Sequence, residues 1–581
     1  LSKRVLIVVA IAVLAGVAAA WVLRPARGVP EGAPTEDEMA ASIGAHVMEH
    51  LHNGAVPGRA GDLMLVPKPN SFLIGEWDLE TLGSDTPTTS TSHPNPWNYL
   101  TRVPIIMSGD GIEAGRTATD EVDISEVAPT YSSILGGVDG FDVESSPLPG
   151  IETEHKPKVI FTVVIDGGGW NDLQQHADSW PFINSLRDMG TTFVNATIGS
   201  APSITGALHA TFGTGVYPKD HGINGNQMRD PNGENVDTWL DNADPRYLNV
   251  PTVSELWDEQ NDNKPIVATV SYEGWHLGMI GHGAQRDGGD KDLAALWSPE
   301  ENAWWINDDF YELPKELQTT DIATLESYEE ALDGRDGLDD GSWYGHTLDD
   351  IRAESGGALL VRPGTPAFVQ FTGDAVVDMI RHEDIGTDDI TDMVWIEMKM
   401  PDYAGHAWNM INREQEDVLR ETDRQIQRFH EELERIVGKN NFVFTVSADH
   451  GQQPLPDLYG GWRINSKELQ RDINDRFGSI VEKVTPVDVY FDLEALDREG
   501  VDVEDVARYI GTYTLGDNIP DGAPGAKFVP EARLDELLFA GGFTVDYLSK
   551  LTPDKIASFG CGDYPEGNFS ITGPCSDQGD G

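Results

Sequence analysis

Val159–Ile165 (VIFTVVI) is an unbroken apolar, β-branched run, the pattern of a strand buried on both faces. Comparable runs recur at Phe212, at Pro265–Val270, at Met393–Met398 and at Asn441–Val446. Helical periodicity separates them. It is clearest from Ile411 to Val437, where Val418, Leu419, Ile426, Phe429, Leu433 and Ile436 form one stripe and Gly438 supplies the stop. Strands alternating with helices predict an α/β fold, a largely parallel central sheet flanked by helices with its functional groups at the C-terminal strand ends.

The flanks of this pattern differ from it. Val5 to Leu23 is an apolar run behind Lys3 and Arg4, with a length between a secretory core and a minimal membrane span. Residues 1–28 are therefore expected to act as a signal peptide or as a retained membrane anchor, and either places the rest outside the cell or on the outer face of the cytoplasmic membrane. Residues 29–62 read as a Pro/Gly-punctuated linker with one helical stretch, Glu36 to Leu51. His46 and His50 share a face of that stretch and, lacking further ligands nearby, read as a solvated face. Residues 141–157 form a second linker, 158–560 the catalytic α/β domain, and 561–581 a Gly-rich tail in which Cys561 and Cys575 are expected to close a disulfide loop.

Composition adds an exclusion. Among 581 residues, 40 basic side chains stand against 98 acidic ones, a formal charge of −58. Such a surface repels nucleic acid, so no nucleic-acid surface binding is expected. An anionic substrate would have to be drawn in locally, and a bound cation is the obvious agent. The plainer reading of the acidity is solubility, as in a salty medium that screens self-repulsion.

The chemistry gathers at strand ends and at one helix start. Asp166 ends the first strand, Asp402 and His406 lie in PDYAGH after the Met393 strand, and Asp449-His450 ends the Asn441 strand in SADHG. Thr205 stands where a helix should begin. Each alone has a plain reading as a cap or turn residue. Together they offer carboxylates and imidazoles, a donor set suited to zinc or a similar divalent ion. A threonine hydroxyl is scarcely ionised at neutral pH, so as a nucleophile it needs a cation and a helix N-terminus beside it. Glu421 and Asp423 read as a solvated helix face.

These segments resemble the alkaline phosphatase superfamily, in its threonine-nucleophile branch of type I phosphodiesterases and nucleotide pyrophosphatases. Thr205 through Asn226 (TGALHATFGTGVYPKDHGINGN) looks like that branch's nucleophile segment, and PDYAGH and SADHG look like its two metal motifs. The resemblance covers roughly Lys158 to Gly451. It implies two divalent metal ions, zinc by expectation, with Asp166, Thr205, Asp449 and His450 around one and Asp402 and His406 around the other. It implies that Asn226 contacts a phosphoryl oxygen. One element is displaced: the second metal should receive a histidine from late in the chain, yet none follows His450. Residues 63–140, with His93 in Ser92-His93-Pro94, resemble the segment that closes the fold in relatives. A circular permutation is therefore expected, with the closing segment moved to the N-terminus and His93 as the missing ligand.

The implied activity is an exported two-metal phosphoester hydrolase acting on a small phosphorylated substrate through a phosphothreonine intermediate. Where phosphate-irrepressible monoesterases of the superfamily carry a Lys-x-Arg clamp, this chain shows Glu273 and Trp275. An acid in that place favours phosphodiester or nucleotide pyrophosphate bonds over monoesters, with an alkaline-type monoesterase as the alternative. Trp275 would stack on a leaving group or simply pack. A sulfatase is disfavoured, since no Cys-x-Pro-x-Arg segment exists, and a phosphomutase is disfavoured by the apolar N-terminus. An exported binding protein that has lost catalysis is the non-enzyme alternative.

Overall fold

The computed structural model describes residues 28–74, 91–153, 155–240, 242–353, 361–520 and 526–564. The apolar run at 5–23 and Cys575 lie outside the described residues, so the anchor and the disulfide loop remain expectations. Among the described residues, no helix is long and apolar enough to cross a membrane.

The main sheet has ten strands among the described residues: β1 (Ile105–Gly109), β2 (Arg116–Ala118), β3 (Val159–Ile165), β4 (Gly190–Phe193), β5 (Val267–Val270), β6 (Asp292–Ser298), β7 (Ala303–Trp305), β8 (Tyr311–Glu312), β9 (Asp392–Met398) and β10 (Phe442–Ser447). Their order is β7-β6-β5-β9-β3-β10-β1-β4-β2, with β8 beside β6. The five central strands β6, β5, β9, β3 and β10 are parallel, as the alternation of strands and helices predicts. Strand β3 is buried along its whole length. One face packs under helices Pro366–His382 and Arg413–Val437, with Phe161, Phe429 and Phe444 in a single apolar cluster. The other face buries Ile160, Val164, Met393 and Trp395 against Tyr131 and Phe212.

Strand β1 precedes β3 in the chain but lies inside the sheet, antiparallel between β10 and β4. A smaller antiparallel sheet joins Leu63–Pro67 to Phe539–Thr544 and to Asp488–Phe491, which ties the two ends of the described chain together.

Several expectations are corrected. Phe212 is not in a strand; it sits within α1 (Thr205–Thr214), all ten residues of which are buried. A helix enclosed all round has no polar stripe, so no 3.6-residue period shows in its sequence. Residues 29–62 are not a linker. Helices Glu36–Ile43 and Ala45–Gly54 press Met39, Met48 and Leu51 against Phe543 and Leu548, and His50 is 3% exposed rather than solvated. Glu421 and Asp423 are also buried. Asp423 accepts from the backbone N–H of Phe182 (2.9 Å) and Ile183 (2.8 Å), capping the helix Pro181–Met189, while Glu421 pairs with Arg335 and Arg424.

Two predictions follow from this packing. Ile106, 1% exposed at the centre of β1, lies opposite Val446 and Thr192. Ile106→Ala is expected to cost about 2–5 kcal/mol if β1 is integral to the core, read as the shift of the denaturant midpoint. A loss under 1 kcal/mol would mean that the N-terminal strand is peripheral. The second concerns Asp258, Asp290 and Asp292, which converge at the edge of the sheet with Asp258 and Asp292 buried. Burial, reinforced by Asp290, pushes the Asp258 carboxyl up to about 8. The folded state thus binds more protons than the unfolded state between the ordinary carboxylate range and pH 8, so this group's contribution to stability falls as pH rises through that window. Asp258→Asn is expected to raise Tm at pH 8 and to leave it nearly unchanged at pH 4, by calorimetry.

Candidate functional site

The register of three neighbouring strands builds the site. Met398 of β9 lies opposite Ile165 of β3, and Ser447 of β10 lies opposite Val164. Continued past the strand ends, that register puts Asp166, Lys399 and, two residues beyond Ser447, Asp449 side by side at one edge. After β9 the chain turns into α2 (Met400–Trp408), with Pro401 in its first turn and Asp402 and His406 one helical turn apart. Thr205 is the first residue of α1, where the backbone N–H groups have no partner within the helix and the helix dipole is positive.

The sequence-expected residues come together in two abutting groups. In one, His450 Nε2 lies 3.2 Å from Asp166 Oδ1 and 3.3 Å from Asp449 Oδ2. In the other, Asp402 Oδ1 faces His93 Nε2 at 3.4 Å and His406 Nε2 at 3.3 Å. The rings of His93 and His450 stack with centroids 3.6 Å apart, which joins the groups. His93, expected on resemblance alone, is thus placed with Asp402 and His406. Each imidazole is oriented from behind by a backbone carbonyl at Nδ1: Ser203 for His93 (2.8 Å), Thr91 for His406 (2.7 Å) and Gly451 for His450 (3.0 Å). Those contacts turn Nε2 inward as an acceptor. Asn226 Oδ1 accepts from the Gly206 N–H at 2.9 Å at the start of α1, which leaves its NH2 group as a donor.

The sequence reading missed Lys399. Its ammonium is 2.7 Å from Asp166 Oδ2, 2.8 Å from Asp402 Oδ2 and 3.3 Å from Thr205 Oγ1. It missed His209 and left His276 unassigned; both are fully buried and share a cluster with Asp166. The signal for His209 was present: it stands four residues after Thr205 on the same helix. Glu273 accepts from the Tyr403 hydroxyl at 2.8 Å, and Trp275 donates to Asp237 at 3.0 Å while packing on the apolar cluster behind it. His282 pairs with Glu255, apart from these groups.

The donor atoms fit a divalent cation. Asp166 Oδ1, Asp449 Oδ2 and His450 Nε2 are enclosed and have no hydrogen-bond partner, and with Nδ1 committed to a carbonyl all three are acceptors facing one another. Only a cation or captured protons resolve that arrangement. The electrostatics divide: against burial, Lys399 holds Asp166, and His406 holds Asp402, well below the usual carboxylate range, while Asp449 and His450 move up. Burial, then Asp166, pushes Asp449 up to about 7; His450, despite burial, is raised to about 9 by Asp449 and Asp166. A site that pulls protons in this way is short of positive charge.

The chain matches the family model described as "Type I phosphodiesterase / nucleotide pyrophosphatase" over residues 160–521. A Myroides odoratus protein named calcium-transporting ATPase is 23% identical over 412 residues, 61% of this chain and 73% of that one. Alkaline phosphatase PafA of Elizabethkingia meningoseptica is 24% identical over 404 residues, again 61% of this chain and 73% of that one. A crystal structure of wild-type alkaline phosphatase PafA aligns with TM-score 0.49 at 20% identity, covering 61% of this chain and 76% of that chain.

Proposed function

Because the chain belongs to the type I phosphodiesterase and nucleotide pyrophosphatase family of the alkaline phosphatase superfamily, and is thereby a phosphoester hydrolase, we propose that it is exported and works through a phosphothreonine intermediate at a two-metal site, favouring phosphodiester or nucleotide pyrophosphate bonds. The observation that carries this reading is the position of Thr205. Its oxygen stands at the start of α1, beside Lys399, whose ammonium also holds Asp166 of the buried acceptor group that lacks protein donors.

Asp166, Asp449 and His450 would hold one cation and His93, Asp402 and His406 the other, with Thr205 Oγ1 beside the first. Bound there, two divalent ions, zinc by this mixed donor set, would supply Lewis-acid stabilisation of the attacking and departing oxygens. Thr205 Oγ1 gives up its proton to solvent and an electron pair to phosphorus as the bond to the leaving oxygen breaks, and that oxygen departs with the bonding pair. The phosphothreonine is then hydrolysed by water, and the electron pair returns to Oγ1. The Asn226 NH2 group is positioned to donate to a non-bridging phosphoryl oxygen, and the amide N–H groups at the start of α1 favour the same negative charge.

We also read residues 63–140 as the family's closing segment in permuted position. Supporting this, β1 lies inside the main sheet although it precedes β3, and His93 lies against Asp402. Adjacent ends of the described chain make such a permutation physically easy.

The diester preference rests on Glu273, an acid where a cationic clamp would serve a doubly charged monoester. A monoesterase is the second reading, favoured by the Lys399 ammonium against Thr205 and by the name of the alkaline phosphatase relative. With zinc-loaded protein, an aryl phosphodiester is expected to be hydrolysed faster than the matching monoester, and Thr205→Ala is expected to abolish both rates. Monoester preference would make the enzyme a phosphatase; an absence of phosphate trapped on Thr205 in the wild type would point to the inactive binding protein. For His93→Ala, metal content is expected to fall by about one ion per chain under two-metal logic. Unchanged occupancy, by mass spectrometry, would remove His93 from the site and the permutation from the functional account.

A further inference from the structure

Lys399 is 2% exposed, and burying an ammonium in a protein interior is costly unless its charge and its protons are matched. Here the match is complete. Three N–H groups meet three oxygens: Asp166 Oδ2, Asp402 Oδ2 and Thr205 Oγ1. The first two contacts, at 2.7 and 2.8 Å, are tight and charge-assisted, while the third, at 3.3 Å, is longer and ends on the one atom whose bonding changes in the proposed reaction. Because Oδ2 of each aspartate is committed to Lys399, each presents its Oδ1 to its histidines.

The loop of Glu273 is linked to this ammonium. The face of the Tyr403 ring lies 5.2 Å from Lys399 Nζ, within cation–π range, and the Tyr403 hydroxyl donates to Glu273. Glu273, the acid at the expected clamp position, thus fixes the ring on which Lys399 rests. In this chain the cation near Thr205 stands at the end of β9.

We infer that Lys399 is the phosphoryl-charge clamp of this enzyme: its ammonium braces Asp166 and Asp402 and offers its remaining proton to the Thr205 oxygen and to the phosphoryl group bonded there, which raises activity toward doubly charged monoesters relative to diesters. The inference rests on the reading of Thr205 as nucleophile. When the Oγ1–phosphorus bond forms and the leaving-group bond breaks, a non-bridging oxygen arrives beside an ammonium already 3.3 Å from Oγ1. When water displaces phosphate, the electron pair returning to Oγ1 meets the same N–H. A fixed cation acts more strongly on a phosphoryl group with two charges than on one with a single charge.

The test uses zinc-loaded, full-length Lys399→Gln, which keeps an N–H donor without the charge. Its kcat/KM for an aryl phosphomonoester is expected to fall about 100-fold, the scale for one electrostatic contact to a transition state, and that for the diester by less than about 10-fold. Calorimetric binding of inorganic phosphate is expected to weaken about tenfold while that of dimethyl phosphate stays unchanged, a readout independent of turnover. Equal losses on both esters with unchanged phosphate binding would overturn the inference and leave Lys399 as a brace. Should Lys399→Gln fail to fold or load zinc, Tyr403→Leu decides. A shift of the monoester-to-diester ratio in the same direction supports the clamp, and an unchanged ratio overturns it. Trapping of phosphate on wild-type Thr205 is scored separately, so failure of the nucleophile and failure of the clamp give different results.

Discussion

The site depends on three parallel strands held in one register. Asp392 through Met398 pairs residue for residue with Val159 through Ile165, and Phe442 through Ser447 pairs with Val159 through Val164. A slip of one residue would move a strand end by about 3.3 Å and turn its side chains to the opposite face. The contacts of Lys399 with Asp166 and Asp402 span 2.7 and 2.8 Å, so no such slip is compatible with them. What prevents slipping is apolar: β3 is covered on both faces, by helix residues such as Phe429 on one side and by Tyr131 and Phe212 on the other. Packing far from the chemistry therefore sets distances at the chemistry.

This explains which parts of the molecule were legible in the sequence. Runs such as Val159–Ile165 announce buried parallel strands, and in a sheet of that kind a polar residue at the C-terminal end has one place to go. Asp166, Asp402, His406, Asp449 and His450 follow directly, because each lies within a few residues of the strand that positions it. Thr205 was legible as a helix start. His93 was not legible from pattern at all; resemblance suggested it, and the structure places its ring on His450.

The misreadings share a physical cause. Sequence patterning reports exposure through polarity, and this chain buries polar groups wherever another group meets them. Asp423 is charged on a helix of alternating polarity, yet it is enclosed because a neighbouring helix N-terminus supplies two N–H donors. Lys399, between apolar Met398 and Met400, carried no sign that three oxygens, two of them from distant segments, would surround its ammonium. His209 stands four residues after Thr205, but the burial of α1 on every side erases the periodicity that would have set their shared face apart. The helical stretch at 36–51 was legible, but flanking Gly and Pro made it read as part of a linker, although Met39, Met48 and Leu51 fasten it to the C-terminal part.

The acidity of the chain and its anion chemistry meet at this edge of the sheet. Screening limits the reach of a surface charge to about 8–10 Å at physiological salt, so the formal −58 acts on a small substrate mainly as a diffuse repulsion. The local field is decisive. Asp166, Asp402, Asp449 and Glu397 all bear on the single ammonium of Lys399, and Glu397, like Asp449, is pushed up, to about 8, mainly by burial. Wherever these carboxylates ionise, their number exceeds the one ammonium and they repel a phosphoryl group. The acceptors that make the site attractive to divalent cations therefore make it unattractive to substrate until the cations arrive. Cation loading and anion affinity are two consequences of one donor set, and an acidic protein can in this way bind an acidic ester.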